Sequence, residues 1–117
     1  DDELDKRIKV DSYYRKHLNN AQYHPKKYSS GHALFSIVLA SNSKRNDLVE
    51  RLSKKNIPSV IYYKFPIHLM EGFQYLEYKP GDFPVSENLS NSIISLPMHP
   101  YLSENDIDFV IETIQRK

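Results

Sequence analysis

The sequence predicts an α+β fold: a small, largely antiparallel sheet of about three strands with helices packed on one face. Two observations carry that expectation. Ala33 to Leu39, Val60 to Tyr63 and Ile93 to Leu96 are short apolar, β-branched or aromatic runs suited to strands. Ile107, Val110, Ile111 and Ile114 repeat at helical spacing, as do weaker sets upstream. The resulting order is helix, strand, helix, strand, irregular helix, helix, short strand, helix.

Residues 2 to 20 carry Leu4, Ile8, Tyr14 and Leu18 among charges, an exposed helix with one apolar stripe. Asn19-Asn20 and Tyr23-His24-Pro25 end it, because asparagine favours turns and the residue before proline is steered from helical geometry. Ala33 to Leu39 has a single polar member, Ser36, and should be the centre of the core. Asn42 or Ser43 can cap a helix from Lys44 to Lys55, with Leu48, Val49 and Leu52 inward and Asn56 as the stop. Pro58 and Pro66 bracket the strand Val60 to Tyr63, whose alternation sends one tyrosine into the domain and one away from it.

Pro66 to Leu76 offers Ile67, Met70, Phe73 and Leu76 at intervals of three, a short helix or two turns. Tyr78-Lys79-Pro80-Gly81-Asp82 is turn chemistry, and Pro84 suits the first turn of a helix carrying Val85, Leu89 and Ile93. Ile93 to Leu96 is stopped by Pro97 and Pro100. Ser103 with Asp106 forms a capping pair for the last helix. One face of such a sheet is left uncovered and needs a partner; in a fragment it should be an apolar patch.

At 117 residues the chain is one domain, with 39% hydrophobic and 26% charged residues. Sixteen Lys and Arg against fifteen Asp and Glu leave a net charge of +1, too weak a field to gather nucleic acid. With no cysteine there is no disulfide, thiolate nucleophile or thiolate metal site. No apolar run approaches a membrane span, and Asp1-Asp2-Glu3 is the opposite of a signal peptide's basic start, so a soluble, cytoplasmic protein is expected.

The candidate site is the exit of the second strand, where Tyr62, Tyr63, Lys64 and His68 fall within seven residues, followed by the Gly81 turn and Glu87. Three glycines cannot make a phosphate cradle, and no helix pairs histidines for zinc, so phosphoryl transfer, dinucleotide binding and zinc catalysis lack support. His17 and His24 flank a turn and should be exposed; His32 and His99 suit structural roles. Taken alone, the tyrosines can simply fill a sheet face with their hydroxyls in water, and Glu87 can simply favour its helix N-terminus.

Four stretches together carry a resemblance. They are Asn56-Ile57-Pro58-Ser59-Val60-Ile61-Tyr62-Tyr63 with Pro66-Ile67-His68; Gly81-Asp82-Phe83-Pro84-Val85-Ser86-Glu87; Ile94-Ser95-Leu96-Pro97-Met98-His99-Pro100; and Leu102 to Ile114. In this order and spacing the chain resembles the C-terminal small domain of the DegT/StrS family of pyridoxal-phosphate-dependent nucleotide-sugar aminotransferases. The resemblance implies a domain of residues 1–117 whose cofactor-binding large domain, with its Schiff-base lysine, lies outside this sequence. It implies pyridoxal phosphate in the parent, held mainly by that large domain, and none for this chain alone.

The same resemblance implies a parent that moves an amino group, typically from glutamate, to a keto nucleotide-sugar for surface polysaccharide or related glycan synthesis. Its partners would be its own large domain, the nucleotide-sugar and, in the parent, a second subunit; neither nucleic acid nor membrane is expected. By resemblance Tyr62 and Tyr63 face the nucleotide-sugar, His68 orients substrate or supports the loop, and Gly81 and Glu87 shape the loop. Many relatives carry Tyr-Pro-x-Pro where this chain has Tyr63-Lys64-Phe65-Pro66, which loosens the loop and adds a cation that could meet an acidic sugar or diphosphate. The alternative is a stand-alone binding or interaction domain that keeps the fold without catalysis.

Overall fold

The computed structural model describes residues 1–21 and 23–116. The Asp1 carboxylate accepts the Glu3 amide and starts helix α1, Asp2–His17, which buries Val10, Asp11 and Tyr14. The helix stops three residues short of the expected Asn20, because Asn20 is claimed by the sheet. Its carbonyl accepts the Val38 amide and its side-chain amide donates to the Val38 carbonyl, both at 3.0 Å.

Strand β1 is Phe35–Val38, and helix α2 is Asn42–Lys54. Ser41, not Asn42 or Ser43, caps α2 by accepting the Lys44 amide; Asn42 instead donates to the Asn91 carbonyl at 2.9 Å. Asn56, with φ of 57°, turns the chain out of the helix. Two 3-10 turns follow, Ile67–Leu69 and Glu71–Leu76. Helix α3, Pro84–Ser92, opens on its proline and passes without a linker into strand β2, Ile93–Leu96. Helix α4 is Glu104–Gln115, and its Ser103/Asp106 capping box is made in both directions.

The α+β class is borne out. β1 and β2 pair antiparallel with Phe35 opposite Leu96 and Ile37 opposite Ile94, so these four apolar side chains share one face. Tyr14 and Leu18, Leu48 and Leu52 of α2, and Ile107, Val110 and Ile111 of α4 complete the buried core with them. Tyr14 is fully enclosed, stacks on Phe35 at 4.6 Å and donates its hydroxyl to the Pro97 carbonyl at 2.9 Å.

Among the described residues the sheet has two strands, and the third expected one shrinks to a single bridge between Val60 and Ser95. The cause lies in β2. Val60 exchanges both backbone bonds with Ser95, at 3.0 and 2.9 Å, and the next antiparallel pair would join Tyr62 to Ile93. The Ile93 amide is already given to the Leu89 carbonyl as the end of α3. The strand therefore leaves the sheet at Val60, and the expected alternation of the tyrosines fails: Tyr62 and Tyr63 are 55% and 63% exposed.

The opposite sheet face also differs from expectation. Ser36 and Ser95 pair across it through their hydroxyls at 2.8 Å, giving a polar seam instead of an apolar patch. The exposed apolar surface sits elsewhere: among the described residues, ten of the 17 exposed large hydrophobic side chains fall in residues 62–85. That loop, not the sheet face, is where this molecule lacks cover.

Candidate functional site

The loop leaves the sheet at Val60, presents Tyr62, Tyr63, Lys64 and Phe65 to solvent, and returns at Pro66, which is buried. The first 3-10 turn then carries His68 inward to 9% exposure. Glu77, with φ of 59°, closes the second 3-10 turn and aims the chain at Tyr78. Lys79-Pro80-Gly81-Asp82 is a tight turn in which Asp82 donates its amide to the Lys79 carbonyl at 3.1 Å and its carboxylate accepts the Lys79 amide at 2.8 Å. Proline supplies the first central torsion, and Gly81 adopts φ of 96°, which a side chain would strain.

Glu87, in the first turn of α3, gathers this region. Its carboxylate accepts the Gly81 amide at 2.7 and 3.0 Å and the Phe83 amide at 3.1 Å, and it faces His68 Nε2 at 3.5 Å. The α3 N-terminus has no capping side chain of its own from Phe83, so the Glu87 carboxylate ties the preceding turn to the helix instead. Phe83 packs against His68 with ring centroids 4.8 Å apart and against Tyr78 at 4.9 Å. Together with Ile67, Phe73, Leu76 and Ser86 these rings line an open hollow of about 280 Å³.

The structure thus brings His68, Gly81 and Glu87 together. Among the described residues, no hydrogen bond, ion pair or ring contact joins Tyr62, Tyr63 or Lys64 to them. Those three stand exposed at the strand exit. Phe73, Tyr78 and Phe83 escaped the sequence reading as site residues. A signal existed for one: Phe83 directly precedes the proline that opens α3, where a side chain is held against the turn.

A second polar cluster lies on α1, away from the candidate site. Asp11 is buried and holds Arg15 through two contacts, at 2.6 and 3.2 Å, with His32 Nδ1 at 3.2 Å. The guanidinium sits over the rings of Tyr23, at 4.5 Å, and Phe35, at 5.3 Å. Burial pulls the Arg15 pKa down, but Asp11 and Tyr23 outweigh it and hold it above its ordinary value. His32 is therefore a strap on α1, and His17, His24 and His99 are exposed. No set of three His, Asp or Glu among the described residues is grouped to hold a metal ion, and none of their helices is long and apolar enough to cross a membrane.

Compared with known families, residues 1–115 match the DegT/DnrJ/EryC1/StrS aminotransferase family. The chain belongs to that family. A DegT/DnrJ/EryC1/StrS aminotransferase from Brucella abortus is 39% identical and superposes with a TM-score of 0.85 over 97% of this chain and 31% of its own. A sugar aminotransferase of Streptococcus pneumoniae is 25% identical, with a TM-score of 0.85 over 97% and 30%, and is known in pyridoxal and pyridoxamine phosphate forms. The dTDP-3-amino-3,6-dideoxy-alpha-D-galactopyranose transaminase of Aneurinibacillus thermoaerophilus is 26% identical over 99% of this chain and 32% of its length.

This DegT-family chain therefore spans about a third of the length of the relatives it matches. The described residues of this chain do not fit pyridoxal phosphate. A Schiff base needs a lysine in a desolvated pocket, and no described lysine is buried. The buried carboxylate that could pair with a pyridinium, Asp11, is already committed to Arg15 and His32.

Proposed function

We propose that this chain is the C-terminal small domain of a pyridoxal-phosphate-dependent aminotransferase acting on a keto nucleotide-sugar, with glutamate as the amino donor. The loop 62–85 forms its side of the substrate cleft. The supporting observation is that this loop is ordered by internal hydrogen bonds yet leaves most of the molecule's exposed apolar side chains without cover. A loop held in shape before anything packs on it is pre-organised for a partner surface, here the cofactor-bearing large domain and the sugar between them. Tyr62 and Tyr63 offer hydroxyls on apolar bodies, suited to hydrogen-bonding a sugar while packing on it. Lys64 adds a cation at the strand exit, suited to a diphosphate. Chemistry at the keto carbon belongs to groups outside this chain; its residues bind, orient and exclude water. The product would enter surface polysaccharide or related glycan synthesis.

The test begins with the native polypeptide in its source cells, detected by an antibody raised against this domain. The expected band is roughly three times the 13.8 kDa of this chain, in proportion to its relatives. The purified parent should show cofactor absorbance and aminate a keto nucleotide-sugar with glutamate. A native band at 13.8 kDa would overturn the proposal and leave a stand-alone binding domain.

A further inference from the structure

We infer that His68 carries a hydrogen on Nε2 and donates it to Glu87, making this pair the clamp that holds the two halves of the loop together. His68 is nine-tenths buried, and its Nε2 is wholly enclosed without a hydrogen-bond partner. Glu87 Oε2, at 3.5 Å, is the polar group it faces. An imidazole lone pair set against a carboxylate is repulsive, and a buried nitrogen with nothing to bond is costly. A hydrogen on Nε2 reverses both effects, and an inward shift of about 0.7 Å brings the pair to charge-assisted hydrogen-bond distance. The titratable groups facing His68 are Glu87 from α3 and Tyr78 from the turn; Asp82 is turned away onto the Lys79 amide.

The position of this pair is what gives it a role. Among the described residues, no backbone or side-chain hydrogen bond joins residues 66–77 to residues 78–92. His68 to Glu87 is the polar contact between them. Glu87 also accepts the Gly81 and Phe83 amides, so one carboxylate aligns a 3-10 turn, a tight turn and the start of α3. His68 and Glu87 are accordingly positioning residues, and the functional consequence of the clamp rests on the aminotransferase reading above.

The clamp is tested in the 117-residue chain with no substrate or cofactor, so its failure is separate from any failure of that reading. Nitrogen-15 NMR of the imidazole should show hydrogen on Nε2 of His68. His68→Gln places an amide N–H where Nε2 stood, whereas His68→Asn does not reach. Exchange of the Gly81 and Phe83 amides should stay near the unmodified rate in His68→Gln and rise about tenfold in His68→Asn, the scale of a charge-assisted bond. A neutral His68 with its hydrogen on Nδ1 would overturn the inference. So would equal exchange in the two variants, since both then act only through the space the ring fills.

Discussion

Tyr14 makes a prediction whose sign changes with pH. Its ring is fully enclosed against Phe35 and its hydroxyl donates to the Pro97 carbonyl. Tyr14→Phe keeps the ring and removes that bond, which should cost about 1 kcal/mol at pH 7, the usual net worth of one hydrogen bond. Burial, with a smaller contribution from Asp106, pushes the Tyr14 pKa well above the ordinary tyrosine value. The folded state thus keeps a proton that the unfolded chain gives up from about pH 10. Native stability from this group is complete below that pH and is lost as pH rises toward the folded pKa, by about 1.4 kcal/mol per unit. Phenylalanine has no proton to lose, so the wild-type advantage of about 1 kcal/mol should vanish near pH 11 and then invert. Urea unfolding followed by far-ultraviolet circular dichroism at pH 7 to 11.5 measures both proteins, and the remaining tyrosines cancel in the difference. A gap that stays constant with pH would refute the argument, because Tyr14 would then ionise alike in both states.

Other perturbations follow the same geometry. Leu48→Ala empties a fully buried core site on α2 and should lower stability by about 3 kcal/mol in urea titrations. Ser103→Ala removes the hydroxyl that accepts the Asp106 amide and donates to the Asp106 carboxylate and should cost about 1 kcal/mol, whereas Ser103→Thr, which keeps both bonds, should recover most of it. The double change Tyr62→Ala with Tyr63→Ala should leave stability within about 0.5 kcal/mol, since both rings are exposed, and, if the function proposed above holds, should weaken nucleotide-sugar binding by the full-length parent in calorimetry. A stability loss there without a binding loss would remove both residues from the cleft.

The legible parts of the fold are those decided locally. Ser103 and Asp106 sit three residues apart before a clean apolar stripe, and they form the capping box because both partners lie in one turn. The α3 start at Pro84 and the Gly81 turn were readable for the same reason. Features decided at a distance were not. Ser41, Asn42 and Ser43 are all able caps, and the choice falls on Ser41 while Asn42 bonds Asn91 on the far end of α3. The strand expected through Tyr63 ends at Val60 because the Ile93 amide is used by Leu89, a fact invisible from residues 60–63 themselves. At the site, the resemblance marked Glu87 and Gly81 for the loop's shape, and their bond depends on a backbone torsion at Gly81 that glycine permits but does not announce. Tyr78 and Phe83 read as ordinary turn aromatics until the ring packing around His68 is seen.

The direct passage from α3 into β2 has a geometric consequence. Each residue added to a helix advances its faces by about 100°. With no spacer between Ser92 and Ile93, the rotational phase of α3 is set by the pleat of β2 and has no joint in which to be corrected. One residue inserted or deleted at that junction would swing α3, together with the Gly81 turn that Glu87 ties to it, about a quarter turn relative to the sheet, parting Glu87 from His68 and the Ser90 carbonyl from Arg45, while leaving every core side chain of β2 available to its old partner. The placement of the loop on the sheet is thus indexed by residue count, and in this family member a length change of one at Ser92 would displace the site more thoroughly than a point substitution inside it.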